Sequence, residues 1–152
     1  MSKSKDLDTA VLDAIKAGQI GRPVFVRCMV GVPEGREDQV KMFIDMVMHV
    51  QGWIGEAIER LYAVGTWGPG LSICVQFRNG GTAIIAGNSG RAWNADLIVL
   101  GNHGAIYHDG FDLDAARITR AFPENETRRI LRQSLQTAVE TGAVQTVTDG
   151  KP

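Results

Sequence analysis

Hydrophobic positions between Glu37 and Gly55 recur at the three- and four-residue spacing of an amphipathic helix. One stripe of apolar side chains sets this spacing: Val40, Phe43, Met46 or Val47, Val50 and Ile54. We expect the stripe to face a hydrophobic core. Asp45 and His49 are four residues apart and lie off the stripe, so the helix stacks their side chains on a separate face.

The pair of Asp45 and His49 has a catalytic and a structural interpretation. A carboxylate one helical turn before an imidazole can fix the tautomer of the ring and position it as a general acid or base. The same spacing fits a pair on a solvated helix surface, which stabilises the helix by only about 0.3–0.5 kcal/mol. The spacing by itself leaves both interpretations open.

Two further helices are predicted, one near each end of the chain. The first spans about Asp6–Ala17, and Gly18 follows it where a left-handed cap is favoured. The second begins after Asn125, whose side chain suits an N-cap, and ends near Thr141 with Gly142 as its C-cap.

Alternating apolar and polar residues predict five or six β-strands. In chain order, the segments with this pattern are 24–32, 57–65, 71–77, 82–86, 93–100 and 105–108. Asn79, Gly80 and Gly81 suit a hairpin turn that needs positive φ, and residues 101–104 turn the chain into a second hairpin. Residues 111–122 are weakly patterned and form either an extra strand or coil, and the tail from Ala143 is short and polar.

These elements predict one α+β domain over residues 1–152. Its sheet is open and largely antiparallel or mixed, with five to six strands, and two or three helices pack on one face. The chain shows neither the alternating βαβ run nor the Gly-x-Gly-x-x-Gly turn of a dinucleotide-binding domain. We therefore expect no nucleotide-binding domain in this sequence.

Composition narrows the classes of partner and compartment. The formal net charge of −1 gives no reason to expect nucleic acid or an anionic membrane as a partner. No segment approaches the roughly 18 apolar residues of a membrane span, and no apolar run follows the N-terminal lysines, so we expect a cytoplasmic protein. Cys28 and Cys74 lack zinc-type spacing, so we expect buried reduced thiols and no metal.

Several segments of the sequence occur in an order that is typical of one family. IKAGQIGRPVFVR precedes the Asp45-x-x-x-His49 helix, and WIGEAIERLYA, RNGGTA, LIVLGNHGAIYHDG and RRILRQSLQTAVETGAVQTV follow it. Together, from about Leu12 to Val147, they resemble the second, C-terminal domain of the Gfo/Idh/MocA oxidoreductase family. The resemblance implies an α+β domain that supplies part of a sugar or polyol site and much of an oligomer interface.

The same resemblance implies roles for the central pair and a source for the cofactor. His49 would accept the proton of the substrate hydroxyl, and Asp45 would bind and orient the substrate and the imidazole. Family members hold NAD or NADP in an N-terminal Rossmann domain, which this sequence lacks. We therefore expect no cofactor to bind this chain alone, and NAD or NADP to act only through a separate Rossmann-domain partner.

Three more residues are candidates for substrate binding. Arg27 can bind an acidic substrate, although an arginine in an alternating strand is more often solvated or in an interface. Trp53 can stack on a sugar ring, although large aromatic side chains usually pack in a core or an interface. His108 can contact a ligand near the end of its strand, or it can be a surface residue.

Three functions are compatible with these features. The favoured one is a stand-alone substrate-binding and oligomerisation domain that takes a sugar- or polyol-like ligand together with a separate NAD(P)-binding partner. The second is a non-catalytic homo-oligomeric binding or scaffold protein, in which Asp45 and His49 have no chemical role. The third is a cofactor-independent sugar lyase or epimerase that uses His49 as its base.

The open sheet also predicts an assembly. Helices on one face leave the other face uncovered, and strand alternation does not allow all of the following to be inside: Leu61, Ala63, Ile73, Val75, Ile84 and Ala86. An exposed apolar patch beyond a few hundred Å² is unusual for a soluble monomer. We therefore expect a homodimer, or a dimer of dimers, that is joined sheet to sheet and buries more than roughly 2,000 Å² in total.

Overall fold

The fold is seen in a computed structural model that describes residues 7–32, 36–89, 94–110 and 124–147. Within these residues lie three helices, α1 (Leu7–Lys16), α2 (Arg36–Ile54) and α3 (Glu126–Thr141). The strands are β1 (Pro23–Val32), β2 (Ile58–Thr66), β3 (Gly70–Phe77), β4 (Thr82–Ser89), β5 (Asn94–Gly101), β6 (Ala105–Gly110) and β7 (Gln145–Thr146). The predicted α+β class is confirmed. Residues 111–122, predicted as an extra strand or coil, lie outside the described residues.

The strands form an open, mixed sheet in the order β6-β5-β1-β4-β3-β2-β7. β1 and β4 are parallel, and the other neighbouring pairs in the described sheet are antiparallel. The described sheet therefore has seven strands rather than five to six. The additional strand is β7, where Gln145 and Thr146 pair with Leu61 and Arg60 of β2. A two-residue strand is too short to show an alternating pattern in the sequence.

The predicted helix ends are confirmed by their caps. The Asn125 side chain accepts a hydrogen bond from the backbone N–H of Arg128 at 2.8 Å. Gly142 closes α3 with a φ of 68°, and its N–H donates to the carbonyl oxygen of Ala138. Gly18 likewise follows α1 with a φ of 76°, in the left-handed region that glycine adopts without strain.

α2 lies over the middle of the sheet and is buried on more than one side. It packs on β1 and β4, and both α1 and α3 contact it. Its buried apolar side chains are Met42, Phe43, Ile44, Met46, Val47, Val50, Trp53 and Ile54. Burying one large apolar side chain of this kind stabilises a fold by about 1.5–3 kcal/mol. The prediction of a single buried stripe was too narrow, because α1 and α3 cover a second face of the helix.

The two faces of the sheet have different environments. On β2 and β3, the side chains of Leu61, Ala63, Ile73 and Val75 are buried beneath the helices. The opposite face carries large apolar side chains that are exposed in this chain: Met29, Tyr62, Val64, Ile84, Leu100 and Tyr107. These six residues, which come from β1, β2, β4, β5 and β6, are called the open face below.

Candidate functional site

The core of the described chain contains a few buried polar residues, and most of them lie on α2. Gln39, Asp45 and His49 are 2%, 2% and 3% exposed, and Arg128 of α3 is 3% exposed. The interpretation of Asp45 and His49 as a solvated surface pair is therefore wrong. Because buried polar groups are costly unless they are paired, their partners define the site.

His49 is paired with a residue of α1. Its Nδ1 lies 3.1 Å from Oδ1 of Asp8. The same carboxylate oxygen accepts a hydrogen bond of 2.8 Å from Nε1 of Trp53. The rings of His49 and Trp53 are stacked, with centroids 6.3 Å apart and planes inclined by 26°. Since Asp8 belongs to the first turn of α1, the helix dipole also favours its negative charge.

Asp45 is paired with a residue of α3. Its Oδ1 contacts Nη1 of Arg128. Nε of Arg128 also lies 3.2 Å from Oε2 of Glu124, and Nη2 of Arg132 lies 3.4 Å from the same oxygen. Two arginines and two carboxylates thus form one network that begins in the core and ends at the surface, where Glu124 is 55% exposed. This network joins α2 to α3.

Gln39 fixes the N-terminal part of α2 against the sheet. Its Nε2 donates a hydrogen bond of 2.8 Å to Oγ of Ser89 at the end of β4. Its Oε1 accepts the backbone N–H of Gly68, in the loop between β2 and β3, at 2.9 Å. The rings of Phe43 and Trp67 meet edge to face in the same region, with centroids 5.7 Å apart. These contacts hold α2 in a defined position, which in turn orients Asp45 and His49.

The structure brings together three of the five predicted site residues. Asp45, His49 and Trp53 follow one another on α2 at intervals of one turn. Arg27 lies on the other face of the sheet, exposed, with Nη2 3.6 Å from the sulfur of Met29. His108 pairs with buried Leu97 across β5 and β6, and its buried Nε2 has no hydrogen-bond partner among the described residues. The chemical roles of all five remain predictions.

The partners Asp8 and Arg128 were not indicated by the sequence. Arg128 is 83 residues from Asp45, and Asp8 is 45 residues from Trp53. Asp8 in the first turn of a helix and Arg128 beside an N-cap each have a common local explanation. A buried carboxylate on α2 demands a cation, but the sequence does not show which of the arginines supplies it.

The two cysteines have different surroundings. Cys28 is fully buried, and desolvation, with a further contribution from the charge of Asp96, raises the pKa of its thiol to about 12. Cys74 is only partly buried, so the prediction of two buried thiols was wrong for Cys74. Its side chain hydrogen-bonds to Tyr62, and this contact raises the pKa of the Tyr62 phenol. Cys74 and Tyr62 lie on neighbouring strands, paired in register.

A thiol reagent should therefore distinguish the two cysteines. With a pKa of about 12, on the order of 10⁻⁴ of the Cys28 thiol is ionised at pH 8, and the side chain is also inaccessible. Cys74 pairs with Tyr62 and so lies on the open face. We expect iodoacetamide to modify Cys74 in folded protein at concentrations at which that face is uncovered, and native Cys74→Ser protein to remain unmodified by mass spectrometry. Both cysteines of the wild type should react in urea. Rapid modification of Cys28 in native Cys74→Ser protein would contradict the burial.

Two absences concern the described residues only. They contain no group of three or more His, Cys, Asp or Glu side chains that could hold a metal ion. Among the helices in residues 7–32, 36–89, 94–110 and 124–147, none is long and apolar enough to cross a membrane.

Comparison with known proteins identifies the fold. The sequence matches no protein-family model and no curated protein. A probable dehydrogenase from Thermotoga maritima shares the fold, with a TM-score of 0.69 and 15% identity over 92% of this chain and 61% of that one. A myo-inositol dehydrogenase from Corynebacterium glutamicum gives 0.69 and 12% over 94% of this chain and 62% of that one. Myo-inositol dehydrogenase from Lactobacillus casei, solved with NAD(H) and myo-inositol, gives 0.69 and 10% over 99% and 65%.

The chain has the fold of part of an inositol dehydrogenase. It spans 61–65% of the length of these three dehydrogenases. The fold that the resemblance to the Gfo/Idh/MocA family implied is thereby confirmed. Identities of 10–15% establish the fold alone, so activity, substrate and partners belong to the proposal that follows.

Proposed function

We propose that this chain is the substrate-binding and oligomerisation domain of an oxidoreductase that acts on a sugar or polyol. The observation that carries the proposal is the pair of His49 and Asp8, with Nδ1 3.1 Å from Oδ1, on a fold shared with inositol dehydrogenases. The other ring nitrogen, Nε2, is then the group that takes the proton of a substrate hydroxyl. Because His49 is 3% exposed, the proposal requires α2 to open locally when the ligand binds.

Asp45 and Trp53 complete the proposed site. Arg128 contacts Oδ1 of Asp45, and a carboxylate has about four lone-pair positions on its two oxygens. Asp45 can therefore hold α3 and still accept a hydrogen bond from a substrate hydroxyl. The Trp53 ring provides an apolar surface beside His49 for the carbon skeleton of a sugar. Arg27 is on the other face of the sheet, so any ligand that it binds lies outside this site.

The described residues do not fit a bound dinucleotide. A pyrophosphate needs free backbone N–H groups at a helix N-terminus, usually after a glycine-rich turn. The N-terminus of α3 is capped by Asn125, and that of α1 carries the carboxylate of Asp8. The sequence before α2, Pro33-Glu34-Gly35, lacks the glycine-rich pattern. In the proposal, NAD or NADP is therefore held by a domain outside these 152 residues, and this chain supplies the proton acceptor.

A second candidate function is a non-catalytic oligomeric binding or scaffold protein. Burial favours it, because Asp45 and His49 are 2% and 3% exposed and connect α2 to α3 and α1. In that case the two residues stabilise helix packing, and the open face performs the binding. The two candidates differ in whether the residues on α2 ever meet a ligand.

Isothermal titration calorimetry separates the two candidates. Myo-inositol is titrated into the wild type, into His49→Asn, and into the matched control His103→Asn, whose histidine lies in an exposed turn. We expect the wild type and His103→Asn to bind equally, and His49→Asn to bind at least about tenfold more weakly, or ~1.4 kcal/mol. NAD and NADP should not bind to the isolated chain. Equal polyol affinities for all three proteins, or micromolar affinity for NAD or NADP, would contradict the proposal.

A further inference from the structure

Asp8 belongs to no sequence motif, yet one of its carboxylate oxygens contacts two side chains of α2. Oδ1 lies 2.8 Å from Nε1 of Trp53 and 3.1 Å from Nδ1 of His49. Its side chain is 18% exposed, whereas that of His49 is 3% exposed. The contact between Asp8 and His49 is therefore largely shielded from water. Shielding strengthens the electrostatic interaction between a carboxylate and a polar N–H group.

The chemistry of the two groups determines where the imidazole carries its proton. An ionised carboxylate only accepts hydrogen bonds, so the nitrogen that faces Asp8 must be a donor. A neutral imidazole has one N–H, and when Nδ1 holds it, Nε2 is left with its lone pair. A ring without an acceptor at Nδ1 is free to carry its proton on Nε2 instead. In that tautomer Nε2 is unable to accept a proton from a substrate.

Several contacts hold Asp8 in this position independently of His49. The indole N–H of Trp53 donates to the same oxygen, and Trp53 is fixed one helical turn after His49 on α2. α1 itself is anchored by Leu7 and Val11, which are 7% and 1% exposed. Both helices thus hold the carboxylate in place without a contribution from the imidazole.

We propose that Asp8 is the positioning residue that makes Nε2 the proton-accepting nitrogen of His49. Asp8 acts through the imidazole and does not itself touch the substrate. Its importance for a reaction rests on the proposed function, whereas the tautomer of His49 is a property of the chain and can be measured without a substrate.

The test is nitrogen NMR of the ¹⁵N-labelled imidazoles, recorded at a pH at which His49 is neutral. The wild type and the control Asp13→Ala, on an exposed position of the same helix, should show the proton on Nδ1. Asp8→Asn should keep this tautomer, since an amide oxygen also accepts a hydrogen bond. Asp8→Ala should lose it, with Nε2–H becoming the main form, and the Trp53 indole N–H signal should shift upfield in the same variant.

Two results would overturn the role of Asp8: a wild-type His49 with its proton on Nε2, or a Nδ1–H tautomer that survives in folded Asp8→Ala. If Asp8→Ala does not fold, Asp8→Leu provides the same test with the volume filled and no acceptor present. The outcome is distinguishable from failure of the proposed function. A chain that shows the Nδ1–H tautomer and binds no polyol refutes the function, and one that binds polyol with the other tautomer refutes the role of Asp8.

Discussion

Arg128→Met is expected to destabilise the folded chain by about 3–5 kcal/mol, because it leaves the carboxylate of Asp45 buried without its cation. Methionine fills much of the volume of the arginine stem, so the loss reports the charge rather than a cavity. The free energy of unfolding of a domain is typically of the order of 5–15 kcal/mol, so losing this much of it should leave a substantial fraction of the chains unfolded in mild denaturant. Urea unfolding followed by circular dichroism gives the free energy of unfolding.

The adjacent arginine supplies a matched control. Arg129 is 70% exposed and pairs only with Glu126, which is equally exposed, among the residues of the described chain. Arg129→Met should therefore change the free energy of unfolding by less than about 1 kcal/mol. Adding Asp45→Asn to Arg128→Met should recover part of the loss, since the uncompensated charge disappears. Equal urea midpoints for Arg128→Met and Arg129→Met would show that the buried pair does not stabilise the fold.

The second large effect concerns assembly through the open face. We expect the chain to sediment at low micromolar concentration as a homodimer, or a dimer of dimers, in which two open faces meet. The reason is the row of apolar side chains left uncovered by the helices, among them Leu100 at 44% and Tyr107 at 74% exposure. When the open faces of two chains meet around a two-fold axis, each covers the apolar surface of the other. An interface of this kind buries more than roughly 2,000 Å².

A double substitution tests this interface. Leu100→Asp with Tyr107→Asp places like charges across a symmetric contact and should give a monomer of 16.5 kDa with unchanged far-ultraviolet circular dichroism. Lys41→Glu, on an exposed position of α2, changes the charge away from the open face and should leave the assembly intact. Sedimentation of the wild type as a single monomeric species would refute the sheet-to-sheet assembly.

Local signals in the sequence were sufficient for the three helices with their caps and for the positions of β1 to β6. Asn125 and Gly142 act within a few residues of the backbone groups that they cap, so the sequence around them contains all the necessary information. The same holds for the turn after β3, where Gly80 has a φ of 88° and Asn79 accepts the N–H of Gly81. Helices, hairpins and the α+β class were predictable for this reason.

Strand order and sheet environment depend on longer-range contacts. β1 lies between β4 and β5 rather than beside β2. The connection from β1 to β2 runs through α2, which crosses the helical face of the sheet and contacts β1 and β4. Alternation indicates that Ile84 and Ile85 point to opposite faces, but only the position of the helices determines that Ile85 is buried and Ile84 is exposed. The short β7 exists only because β2 offers an edge for it to pair with.

For a related reason, the sequence predicted only the part of the candidate site that lies on α2. The spacing of Asp45 and His49 indicated a shared helical face, which α2 confirms. Periodicity registers apolar positions only, so it placed these two residues off the apolar stripe and left their burial undecided. Their burial follows from α1 and α3, which bring Asp8 and Arg128 from distant parts of the chain. No local pattern in the sequence specifies such tertiary pairs.

NMR titration tests most directly whether a polyol binds at the face of α2 that carries His49. ¹⁵N-labelled wild-type chain is titrated with myo-inositol while the Trp53 indole and His49 imidazole signals are followed. We expect saturable shifts at both signals and none at the indole of Trp67, which lies between β2 and β3 and packs on Phe43. In His49→Asn the Trp53 shift should need at least about tenfold more myo-inositol to saturate. Saturable shifts confined to the open face, or no saturable shift at Trp53 and His49, would contradict polyol binding at this face of α2.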